Sequence, residues 1–174
     1  MKKIFLILTL VSNLGFSQTT EKAITIIEDI SNWQEDFVGK ITYYNKIEFD
    51  KKLQKITVTD SINFGNGEFS KYVTRFYLED LDKTSMKYDY AEVAKDKFMV
   101  AIDLSMKSKS VEVTKSEITN KFKYLVSDTT YYDKVNCFGA NSRLLPLFLI
   151  EKYVRAVSEL LGIKEYHKED LFKN

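Results

Sequence analysis

Three spacings of apolar residues succeed one another along the chain. Residues 19–37 read "TTEKAITIIEDISNWQEDF". With successive side chains rotated by about 100°, Ala23, Ile26, Ile27, Ile30, Trp33 and Phe37 fall in one arc. Glu21, Thr25, Glu28, Asp29, Asn32, Glu35 and Asp36 take the opposite side. Thr19 or Thr20 can cap the first free N–H groups, and Glu21 suits the positive end of the helix dipole. The pattern predicts an amphipathic helix over 20–37. Its polar face is acidic rather than lysine-rich, so the stripe is expected to pack on a sheet and not in a membrane surface.

From residue 38 to about 135 the period becomes two. Ile41, Tyr43, Ile47 and Phe49 share a face, interrupted at Asn45. After a turn at Asp50-Lys51, Ile56 and Val58 alternate. A Gly65-Asn66-Gly67 turn leads into Tyr72, Phe76 and Leu78, interrupted at Thr74. Met86/Tyr88/Tyr90, Phe98/Val100/Ile102/Leu104, Val111/Val113 and Phe122/Tyr124/Val126 continue the alternation, and "TTYYDKV" offers a last short strand. Such runs, parted by short polar turns, predict about seven antiparallel strands joined by hairpins.

The third pattern lies in "NSRLLPLFLIEKYVRAVSELLGIKEYH", residues 141–167. A helix over about 144–163 gathers Leu149, Ile150, Tyr153, Val154, Ala156, Val157, Leu160 and Leu161 on half its circumference. Glu151, Lys152, Arg155, Ser158 and Glu159 occupy the rest. Pro146 belongs in the first turn, where a missing N–H costs least, and Gly162 can end the helix. A bilayer-spanning helix needs about twenty apolar residues without such a face. Phe148 points to the polar side. Either it tucks under the "CFGA" loop, or with Arg155 it contacts a partner.

Ahead of these elements stands "MKKIFLILTLVSNLGFSQ". Lys2 and Lys3, the apolar run from Ile4 to Val11, and small residues Gly15 and Ser17 follow the grammar of a secretory signal peptide over 1–17. Cleavage after Ser17 leaves one domain over 18–174 in the periplasm or the extracellular medium, with no integral membrane segment. No cysteine lies near the cut to take a lipid. The chain has 26 basic and 25 acidic side chains, and without the two leader lysines 24 and 25 remain, one net negative. That balance offers no electrostatic case for nucleic acid.

Candidate chemistry is sparse. Cys137 is the one cysteine, so an exported chain must hold together by packing, with Cys137 read as a small buried side chain. His167 is the one histidine and lies in a charged tail, which leaves zinc and iron sites without their usual ligands. "FGNGEF" lacks the Lys-Ser/Thr of a phosphate loop and reads as a hairpin turn. "LEDLDKTS" brings Glu79, Asp80 and Asp82 together without the glycine and closing glutamate of an EF-hand, and reads as a solvated turn. Nine tyrosines from Tyr43 to Tyr132 fall in the strand region. Neighbours such as Tyr43 and Tyr44 must face opposite sides, and a surplus lining a cleft would suit an apolar or sugar ligand.

The leader, "YVTRFYLEDLDKTSMKYDY", "KFMVAIDL" and "FLIEKYVRAVSELLGI" together resemble small exported proteins of unknown function from Gram-negative bacteria. There a strand runs into an L-x-D-L-D turn, hairpins follow, and a terminal helix carries a pair like Arg155-Ala156. The resemblance implies no activity and no site residue. A bent antiparallel sheet closed by a C-terminal helix is also similar to pleckstrin-homology-like domains, from which the N-terminal helix departs. That likeness concerns fold and not function.

The expected fold is α+β: a helix, one strongly bent antiparallel sheet, and a helix packed on it, with a two-layer sandwich as alternative. The expected function is a non-enzymatic binding or accessory domain without cofactor, metal or catalytic residue. Its partner is an unidentified protein, met at Phe148 and Arg155. The alternative is a carrier of a small apolar ligand between sheet and C-terminal helix. A hydrolase using paired carboxylates has the least behind it.

Overall fold

The computed structural model describes residues 20–37, 41–119, 125–135, 138, 143–163 and 165–168. The expected leader, Cys137, and the strand residues Phe122 and Tyr124 lie outside them. The architecture is α+β, with two helices and ten strands among the described residues.

The first helix, α1, covers residues 20–31 and is shorter than the expected 20–37. Its C-terminal carbonyls are taken early: Arg143 Nη1 donates to the oxygens of Ile30, at 2.8 Å, and Asp29, at 3.3 Å. Asn32 then turns its side chain outward, and its Oδ1 accepts from the Ile47 N–H at 2.6 Å. The chain continues as β1 (Trp33–Phe37), antiparallel to β2 (Ile41–Asp50). Residues four apart share a side in a strand as in a helix, so the spacing of Trp33 and Phe37 in the sequence does not separate the two periods.

Next come β3 (Lys55–Asn63), β4 (Phe69–Tyr77), β5 (Ser85–Ala94), β6 (Lys97–Ser105), β7 (Val111–Ile118), β8 (Val126–Tyr132) and β9 (Lys134–Val135). The Asp50 turn is longer than expected. Asp50 Oδ1 accepts from the N–H groups of Lys52 and Leu53, and β3 begins only at Lys55. The glycine turn is as expected, with Gly65 and Gly67 at positive φ and Asn63 and Asn66 each accepting from the backbone two residues on.

The strands form two sheets instead of one strongly bent sheet. One has the order β1-β2-β3-β4-β7-β8, the other β10-β5-β6-β9, where β10 is Glu165–Lys168. The cause is the segment after β4. Leu78 and Leu81 are buried there and carry the chain off the first sheet. The β5–β6 hairpin is then completed before β7 returns to pair with β4.

The second helix, α2 (Leu147–Leu161), begins after Pro146 and ends at Gly162, whose φ of 66° is the left-handed conformation favoured by glycine. It packs on β5 and β6. β10 (Glu165–Lys168) runs parallel to β5 in what read as a charged tail. Both helices bury their apolar faces in one core, through Ile27 and Ile30 of α1 and Tyr153 and Val157 of α2. Ile47, Val58 and Phe76 of the larger sheet, and Met86 and Ile102 of the smaller, complete it. Inside it Ser31 Oγ donates to Tyr153 Oη, which donates to the Phe138 carbonyl, each at 3.2 Å.

Candidate functional site

Residues directly opposite on neighbouring strands share a face, so the register of the larger sheet sorts its core side into rows. Phe49, Ile56 and Phe76 form one row, and Ile47, Val58, Thr74 and Val113 the next. Both touch the apolar core except at Thr74. One step further the chemistry changes to Trp33, Asn45, Asp60, Tyr72 and Lys115. Beyond that come Glu35, Tyr43, Ile62, Ser70 and Glu117. The strands are nine or ten residues long and outrun their apolar cover, so these two rows stand past the core on the same face.

A pocket of about 240 Å³ opens over them, lined by Trp33, Tyr43, Asn45, Asp60, Ile62 and Tyr72 among others. Asn45 is 98% buried. Its Nδ2 donates to Asp60 Oδ1. Its Oδ1 finds no partner among the described residues, and neither does the buried indole Nε1 of Trp33. Burial pushes the Asp60 carboxyl above its ordinary proton affinity, against the Asn45 hydrogen bond, which pulls the other way. At the rim Lys115 Nζ lies 6.0 Å from the Tyr72 ring centroid and 2.6 Å from Glu117 Oε2. One end of this arrangement, Lys115 and Glu117, is charged and paired. Its middle is aromatic, with one acid, one amide and the Ser70 hydroxyl.

Phe148 and Arg155 come together elsewhere. Phe148 is 68% exposed and does not tuck under the loop before α2. With Arg155, Lys22, Ile26 and Glu159 it lines an open groove of about 440 Å³ between the two helices. His167 lies exposed on β10, 3.6 Å from Glu165. Asp82 accepts from the Thr84 N–H and hydroxyl, which hold its carboxyl below the usual range, in an exposed turn. Tyr153, Phe138 and Ile150 are fully buried in the core, and at the C-terminal end of α2 a pocket of about 330 Å³ opens between Leu160, Leu161 and Gly162 on one side and Phe49, Gln54 and Leu78 on the other. The tyrosine-lined pocket sits beyond the helices, not beneath α2.

The strand pattern left this site unrecognised. By spacing alone Trp33 belongs to a helical stripe, and Tyr43 and Tyr72 to ordinary strand alternation. The available signal was a polar residue in an inward position: Asn45 interrupts its strand, and Asp60 takes the next inward step after Ile56 and Val58.

No protein-family model matches the chain, and no curated protein or solved structure matches it.

Proposed function

We propose that the chain is an exported, non-enzymatic binding domain that holds a small ligand in the pocket over the Asn45–Asp60 row. Export rests on the leader over 1–17 and fits the likeness to small exported proteins of Gram-negative bacteria. The binding reading rests on one observation: two polar atoms, Trp33 Nε1 and Asn45 Oδ1, are buried without a partner among the described residues at the wall of a single pocket. Each such group costs the fold about 1–3 kcal/mol. A sequence optimised for packing alone would have placed apolar residues there. Local rules are broken where function requires it. The pocket is below the roughly 300–1,000 Å³ of drug-sized sites, so the ligand, or the part of it that enters, is about one ring.

A fragment screen followed by 1H–15N NMR tests this. The fragments that bind should shift the amides of Asn45, Asp60 and Tyr72 and the indole N–H of Trp33 more than any others. Fragments confined to the groove between α1 and α2 contradict it.

A second reading keeps a protein partner at Phe148 and Arg155. It is favoured by the exposure of Phe148, a large apolar ring standing over a groove. Loss of an associated protein in Phe148→Ala, with the pocket's NMR signals unchanged, would support it.

A further inference from the structure

The pocket's chemistry narrows the class of ligand, an inference that rests on the binding reading above. We infer that the pocket takes an uncharged, hydroxyl-bearing ring: one sugar unit of a neutral saccharide, stacked on its aromatic walls with hydroxyls turned to Trp33, Asn45 and Asp60.

Three observations carry it. First, the unpartnered groups are of opposite kind. The Trp33 indole N–H can only donate and Asn45 Oδ1 can only accept. A hydroxyl does both, so one or two adjacent hydroxyls satisfy the pair. An ammonium ion would satisfy Asn45 and leave the indole unmet, and a carboxylate the reverse. A hydrocarbon would satisfy neither. Second, the neighbouring groups are tolerant in the same way. The Asp60 carboxyl accepts from a hydroxyl when ionised and can donate to one when protonated, and Ser70 adds a hydroxyl of its own. Third, the walls and the rim suit a neutral ring. Trp33, Tyr43 and Tyr72 present aromatic surface, whose negative face attracts the partially positive C–H bonds of a saturated ring. Lys115 and Glu117 pair with one another at the edge, so neither is left to select an ion there.

Both unpartnered atoms are closed off from solvent, so a ligand reaches them after a side-chain rotation at Trp33 or Asn45. Changes of that size commonly accompany binding.

Trp33 is the one tryptophan, which makes its indole N–H a unique NMR signal inside the site. The 15N-labelled mature chain is titrated with neutral methyl glycosides, with tetramethylammonium chloride and with benzene, each in separate series. The expected result is a saturable shift of the indole and of the Asn45 side-chain amide with at least one glycoside. Trp33→Phe should weaken that glycoside about five- to tenfold, the loss of one hydrogen bond. Ser70→Phe, on the pocket's polar edge, should abolish it with the spectrum otherwise preserved, and covers the case in which Trp33→Phe does not fold. Preference for tetramethylammonium or benzene overturns the sugar assignment while leaving the pocket a binding site. If none of the three moves the indole and the fragment screen also leaves it still, the pocket is not a binding site and both readings fall.

Discussion

At Asn45 a single amide links the core's edge to the pocket. It hydrogen-bonds Asp60, faces Trp33 across the ladder and is almost fully buried. Asp60 in turn makes a prediction about pH. Burial, partly offset by Asn45, raises its proton affinity in the fold above the ordinary value of 3.8. The folded chain therefore binds this proton more tightly than the unfolded chain. Asp60's contribution to stability is fully present below the unfolded pKa and is lost as pH rises through the folded one. Asp60→Asn keeps an acceptor for Asn45 and removes the charge. It is expected to be more stable than wild type at neutral pH, with the gap closing at about pH 3, as measured by denaturant melts at both. A variant less stable at neutral pH contradicts this. Tyr153 makes a second prediction. Its hydroxyl lies between Ser31 and the Phe138 carbonyl in the core. Tyr153→Phe strands both and should cost about 1–3 kcal/mol in the same melts. The inward alternation of Ile56, Val58 and Phe76 was readable from the sequence. The pairing of Asn45 with Asp60 was not, because it depends on which strands are neighbours and in which register.

At the level of elements, α2 and the hairpins were legible and the end of α1 was not. Proline, a broad apolar face and a glycine marked α2 to within a few residues. The end of α1 is set by Arg143, more than a hundred residues away, whose guanidinium takes carbonyls that a longer helix would have used. Arg143→Ala should therefore speed amide hydrogen exchange in the last turn of α1 more than in α2, and equal effects on both helices would contradict that. β10 is illegible in the sequence for a different reason. All four of its residues are exposed, so it carries no apolar alternation, and its parallel partner β5 is remote in sequence. Aromatic contacts hold it instead, with Tyr166 edge-on to Tyr88 and Lys168 Nζ 3.8 Å from the Tyr90 ring centroid. Gly162 permits a clean test of the helix end. A Cβ there meets only Lys83 Nζ, at 4.0 Å, so the cost of Gly162→Ala is the left-handed backbone alone. About 1 kcal/mol of stability should be lost in thermal melts.

For the whole molecule, composition and period pointed to α+β, and the division into two sheets had to be seen. Alternation says that a residue faces inward and does not say which sheet it belongs to, and the crossing at Leu78–Leu81 looks like any other turn. Both sheets and both helices nevertheless share one core. Unfolding is therefore expected to be a single transition, with Trp33 fluorescence in the larger sheet and hydrogen exchange of β5 and β6 in the smaller reporting the same midpoint. Separate midpoints would show two units where one core is described. The core also explains where the site can be: its apolar cover stops at Ile47 and Val58, and the strands continue past it with aromatic and polar side chains. The most direct measurement is a crystal structure of residues 18–174 grown with the neutral glycoside that shifts Trp33 most. A sugar ring is expected against Trp33 and Tyr72, with hydroxyl oxygens within hydrogen-bond reach of Trp33 Nε1 and Asn45 Oδ1. Ordered water bridging those two atoms, with the glycoside lying instead in the groove beside Phe148 or nowhere, would contradict it.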